Sequence, residues 1–238
     1  MGTAALRAHS GLEHEAPPVS RGDVLARYRR LREIGTQHHS NVMGFLPRDA
    51  ILQQAHRLGL ASGRTILLDS EDELTLAFDL AIYTASTGRS RAIDRYARSA
   101  SFPKGSDEAV MLEAKCSARF AIMVVRDRHP AAGLLVTDIF REVDLWLMDL
   151  GLAQSLSEGE MFATRYYKPA DFAMTAGVVV PVDQTLLEEA AATVPQLRRM
   201  SEIELLEDRR FAEAVYRAAI ADGIMERVAY QDPDGGAA

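Results

Sequence analysis

The 238 residues carry 34 acidic and 27 basic side chains, a formal net charge of −7, and 47% are hydrophobic. That is an ordinary globular composition, long enough to bury a substantial core, and its sign argues against a bulk coat of nucleic acid. The single cysteine, Cys116, excludes an intrachain disulfide and a zinc site built from several cysteines, and gives no sign of an oxidising compartment.

The longest apolar run, Phe120 to Val125, is far too short to span a membrane. The N-terminus lacks a charged segment followed by an apolar one, so no signal peptide is expected. Leu6 stands where a myristoylation site would carry Ser or Thr. A cytoplasmic protein is the default expectation. Residues 1–19 and 231–238 are small, polar and without apolar period, and read as disordered tails around one domain at 20–230.

In chain order, Val24, Tyr28, Leu31 and Ile34 predict a helix from about Asp23, whose continuation past Gly35 the pattern leaves open. A second helix follows Pro47 and stops at Gly59 or Gly63. Residues 64–69 read as a short buried strand. Ser70 and Glu73 form a capping-box pattern, with Leu74, Phe78, Ala81 and Ile82 as the face of the helix they open. That helix start explains the acidic run at 69–73 without a metal. Ile93 and Tyr96 predict a helix at about 90–99, and Ser106 opens a long one expected to reach His129. Cys116 falls inside it and reads as a buried, inert thiol.

Residues 134–150 fit either a strand pair of poor alternation or a helix on Ile139, Val143, Trp146, Leu147 and Leu150, and helix is the reading adopted. Two strands are expected next, Met161 to Tyr167 and Phe172 to Val182, turning around Pro169. Thr185 and Glu188 open a further helix ended by Pro195, and a last one runs from about Ser201 to Asp222. The fold class is therefore α+β: a predominantly helical single domain with a small sheet of about three strands, counting 64–69 as one.

No phosphate-loop, dinucleotide, nucleophile-elbow or HExxH signature is present. His38 and His39 are adjacent and would point about 100° apart on a helix, so they make a poor metal pair. The reading assigns no metal and no cofactor. Two constellations carry what chemistry there is. Arg91, Arg95 and Arg98 stand at i, i+4 and i+7, a stripe suited to phosphate or nucleic acid. Around 165–177, Arg165, Tyr167, Lys168 and Thr175 gather on a strand pair, with Asp138 or Asp171 as an acid or base beside them. Alternation places Phe162, Thr164 and Tyr166 on one face and Ala163, Arg165 and Tyr167 on the other.

The function expected first is a cytoplasmic regulatory or interaction module whose helix faces bind a protein partner or a second copy. A small-molecule enzyme or sensor with its site near 165–177 is the second expectation. Nucleic-acid association through the arginine stripe is the third, and no membrane contact is expected.

Overall fold

Arg119–Arg128 forms the central strand of a five-stranded sheet because every residue from Phe120 to Met123 is buried, on whichever face it falls. The computed structural model describes residues 20–223 except 69, 87 and 197–199, so the expected tails and Asp69 lie outside the described residues. Among those residues the helices are α1 Arg21–Met43, α2 Ala50–Leu58, α3 Glu71–Tyr83, α4 Ala92–Ser99, α5 Asp107–Cys116, α6 Leu150–Ser155, α7 Gln184–Thr193, α8 Glu202–Glu207 and α9 Arg209–Ala221. The strands are β1 Ala61–Ser62, β2 Thr65–Ile66, β3 Arg119–Arg128, β4 Leu134–Asp138, β5 Val143–Leu147, β6 Met161–Tyr167 and β7 Met174–Pro181. The main sheet is wholly antiparallel in the order β5-β4-β3-β6-β7, and β1-β2 is a separate small hairpin.

One face of the sheet, with Phe120, Ile122, Val178 and Val180, packs against α2, α3, α7 and α9 through Leu58, Leu76, Leu80, Leu186, Phe211 and Val215. The opposite face, with Ala121, Met123, Phe162 and Val179, packs on Leu152 of α6. At the end of β6 and β7, Tyr167 and Met174 meet a third cluster built by α1, α4 and α5. Gly35 lies inside α1, which runs on through it to Met43. None of the described helices is long and apolar enough to cross a membrane.

The expectation of about three strands is corrected to five, without 64–69, whose strand is only Thr65–Ile66 and pairs with β1. Two helical readings fall with it. The long helix from Ser106 ends at Cys116, and the rest is β3. A central strand buried on both faces shows a continuous apolar run, which periodicity alone cannot tell from a buried helix. Residues 134–147 are the β4-β5 hairpin, not a helix. β4 does alternate in burial, but Leu135 points out at 36% exposure while Asp138 points in at 0%, so hydropathy hides the period. Of the expected α3 face, Ala81 and Ile82 are buried but Leu74 and Phe78 only half so, and the buried surface extends instead over Leu76, Ala77 and Leu80. α7 is capped by Asp183 rather than opened by Thr185, and the last helix breaks at Asp208 into α8 and α9. β6 has the bounds expected of it, and its alternation holds: Ala163 faces the α2-α3 side and Phe162 the α6 side.

Candidate functional site

Six arginines converge where α3, the α5-β3 junction, the β4-β5 turn and the start of α9 meet. They are Arg91, Arg119, Arg141, Arg165, Arg209 and Arg210, and they line a cleft of about 850 Å³ with two acids, Glu207 and Asp208. Cys116, Tyr83 and Phe120 complete its inner wall.

Each guanidinium is placed by local structure. Arg91 precedes α4 and forks onto Asp94 with contacts of 2.8 and 2.6 Å, also donating to the Cys116 carbonyl at 2.7 Å. That hydrogen-bonded pairing raises the Arg91 pKa and holds the Asp94 carboxyl below its ordinary value. Arg141 sits in the β4-β5 turn and donates to Asp138 at 2.8 Å and to the Phe120 carbonyl at 3.1 Å. Arg210 is held by the α9 cap residue Asp208 at 2.6 Å. The Arg119 and Arg209 guanidiniums make no hydrogen bond or ion pair among the described residues, although the Arg209 charge still helps lower the Asp208 pKa.

Arg165 is the buried member. β6 points it at Asp79 on α3, with Nε–Oδ1 at 2.9 Å and Nη2–Oδ2 at 3.1 Å, and Tyr216 of α9 donates to Oδ2 at 3.0 Å. Burial, the largest single influence, would lower the Arg165 pKa, but the charge and hydrogen bonds of Asp79 together with Tyr216 and Tyr83 outweigh it and the value is raised. Burial and that same carboxylate push the Tyr216 phenol well up, so it stays a donor. Burial also raises the Cys116 thiol, which keeps it protonated and a poor nucleophile.

Behind the Arg165–Asp79 pair lies a second pocket of about 250 Å³, lined by Gly35, Phe78, Asp79, Lys115, Tyr167 and Thr175 among others. Its shape comes from a bulge. Between the pairs Thr164↔Val179 and Tyr166↔Thr175, β7 places three residues where β6 places one, and Gly177 takes φ +111° to allow it. Tyr83 borders both cavities.

The residues singled out in the sequence separate in space. Arg165 and Arg91 share the large cleft, whereas Tyr167 and Thr175 line the smaller pocket. Lys168 and Asp171 are exposed and belong to neither. Asp138 is fully buried as the partner of Arg141. Thr175 turns its hydroxyl to Asp149 at 2.9 Å. The arginine stripe divides: Arg95 donates to the carbonyls of Ser90 and Phe45, and Arg98 to the Ser90 hydroxyl. Among the described residues no group of three or more His, Cys, Asp or Glu could hold a metal.

Asp79 and Lys115 are the pocket residues that motif reading passed over. Both stand in phase with apolar stripes, Asp79 three residues after Leu76 and Lys115 three after Leu112. A charge on a core-facing helix position is the signal that could have found them.

A family model described as a family of unknown function (DUF7986) matches residues 23–228. No curated protein and no solved structure matches the chain.

Proposed function

The chain belongs to that family of unknown function, and from its geometry we propose that it binds a small polyanion, a molecule with two or more phosphate or carboxylate groups, in the arginine-lined cleft. The observation that carries this is the convergence of six guanidiniums on one concavity in a chain of net charge −7. Four of them are already oriented by carboxylates, Asp94, Asp138, Asp79 and Asp208. Such pairs fix the planar forks before a ligand arrives, which lowers the ordering cost of binding. Arg119 and Arg209 add two guanidiniums that no carboxylate among the described residues holds by a hydrogen bond or ion pair. The cleft volume falls in the range of small-molecule sites. Helix-face binding of a protein, or nucleic-acid contact through Arg91, Arg95 and Arg98, has no comparable convergence behind it. A reducing cytoplasm is the compartment that suits a lone, unbridged Cys116.

Thermal unfolding of the full chain in pyrophosphate or citrate, against sodium chloride of matched ionic strength, tests the reading. A saturable rise in Tm is expected, and the double variant Arg119→Glu, Arg209→Glu is expected to fold and lose it. An equal rise in variant and wild type would sink the proposal.

A further inference from the structure

Lys115 is one of only three lysines in the chain, and the other two, Lys104 and Lys168, are exposed. It sits in the last turn of α5 at 3% exposure, and its ammonium has no hydrogen bond or ion pair among the described residues. Its Nζ lies 4.9 Å from the centroid of the Tyr167 ring. A buried ammonium without a carboxylate is costly, and a structural role would be served as well by an apolar side chain of similar volume. The smaller pocket reaches this amine, and its lining includes Arg32, His39, Tyr167 and Thr175. Gly35 of α1 keeps the space open: a Cβ there would stand 3.4 Å from the Tyr167 hydroxyl and 3.6 Å from Lys115 Cε.

Burial, with the nearby Arg32 charge, lowers the Lys115 pKa to about 8. At pH 7 roughly a tenth of the amine is then neutral, against on the order of a thousandth or less for an ordinary lysine. Lowering by desolvation is one way proteins make amine nucleophiles.

We propose that Lys115 is a nucleophilic amine that condenses with a small aldehyde or oxo acid admitted by this pocket. The neutral Nζ lone pair attacks the carbonyl carbon, and a proton passes from nitrogen to oxygen to give a carbinolamine. Water then leaves as the nitrogen lone pair forms the C=N bond, so amine plus carbonyl becomes Schiff base plus water with no other reagent. His39, held neutral by burial, and the Tyr167 hydroxyl are the pocket groups that can carry the protons. Arg32 and the pocket volume favour a small carbonyl compound that also bears a carboxylate. The inference stands apart from the polyanion reading, because it uses a different cavity.

The test is reductive trapping of the full chain at pH 7 with glyoxylate or pyruvate and cyanoborohydride, followed by peptide mass mapping. Lys115 is expected to carry the adduct at least tenfold over Lys104 and Lys168, which serve as internal controls. Gly35→Val, which fills the pocket and leaves Lys115 itself unsubstituted, is expected to suppress it. Adducts spread evenly over the three lysines, or none at Lys115, would overturn the proposal even if Lys115→Arg failed to fold.

Discussion

Arg165 and Asp79, 86 residues apart in sequence, meet through two hydrogen bonds of 2.9 and 3.1 Å and form the partition between the two cavities. The guanidinium faces the large cleft and the carboxylate the small pocket. The pair ties β6 to α3, and the Tyr216 hydroxyl ties both to α9. Removing one partner leaves the other buried and uncompensated. Asp79→Ala is therefore expected to cost about 3–5 kcal/mol, read as a lower urea midpoint. The double replacement Asp79→Leu, Arg165→Met is expected to recover much of that loss, since no charge is then stranded. A loss below about 1 kcal/mol for Asp79→Ala would contradict the pairing.

The parts of the fold that were legible from sequence share a physical trait: burial and hydropathy agree there. β6 alternates between two packed faces and its bounds follow, and Gly59 ends α2 in the left-handed conformation a glycine permits. The illegible parts break that agreement. β3 is buried on both sides, so it shows no period, and β4 exposes Leu135 while burying Asp138 because Arg141 satisfies the acid. Of the site, Arg165 stood out beside Tyr167, but its partners lie 86 residues before it on α3 and, through Asp79, on α9. Nothing local to β6 encodes that pairing.

The turns on either side of β4 hold two positive-φ positions with opposite expectations. Gly133, at φ +81°, approaches the next strand so closely that a Cβ would lie 2.3 Å from the Leu147 carbonyl oxygen. Backbone cannot yield there, so Gly133→Ala is expected to destabilise by about 2 kcal/mol or more. Glu142 occupies φ 53° with a side chain that prefers to avoid it, so Glu142→Gly is expected to cost nothing and to gain up to about 1 kcal/mol. Paired chemical denaturation curves measure both, and Gly133→Ala matching wild type would contradict the close approach.

His38 makes the fold acid-sensitive above the carboxylate range. Its ring joins the Tyr96 hydroxyl at 2.8 Å and the Glu108 carbonyl at 2.9 Å. Donating to the carbonyl and accepting from the phenol uses both nitrogens of a neutral imidazole. Burial lowers its folded-state pKa, and His39 shifts in the same direction for the same cause. Below about pH 6.5 the unfolded chain takes up protons that the folded chain refuses. Stability is thus complete above that pH and falls as pH descends towards the lowered values. His38→Gln is expected to flatten part of the slope below about pH 6.5, leaving the shares of His39 and His129, whose pKa values are also lowered by burial. Urea midpoints across that interval check it, and an unchanged slope would remove His38 from the account.

The lone tryptophan reports on a different histidine. Trp146 on β5 stacks on His129 with ring centroids 3.8 Å apart and planes 15° from parallel, and its indole N–H donates to the Ala132 carbonyl at 2.6 Å. Partial burial lowers the His129 pKa from its ordinary value. A protonated imidazole in van der Waals contact accepts an electron from excited indole, so emission should fall when His129 takes its proton. Acidifying the folded protein is therefore expected to quench fluorescence with a midpoint below about 6.5, while the far-ultraviolet circular dichroism is unchanged at that midpoint. His129→Gln keeps a planar polar group beside the ring but cannot titrate, and is expected to abolish the transition. Quenching that persists in that variant would mean that another group, and not the stacked imidazole, controls the emission.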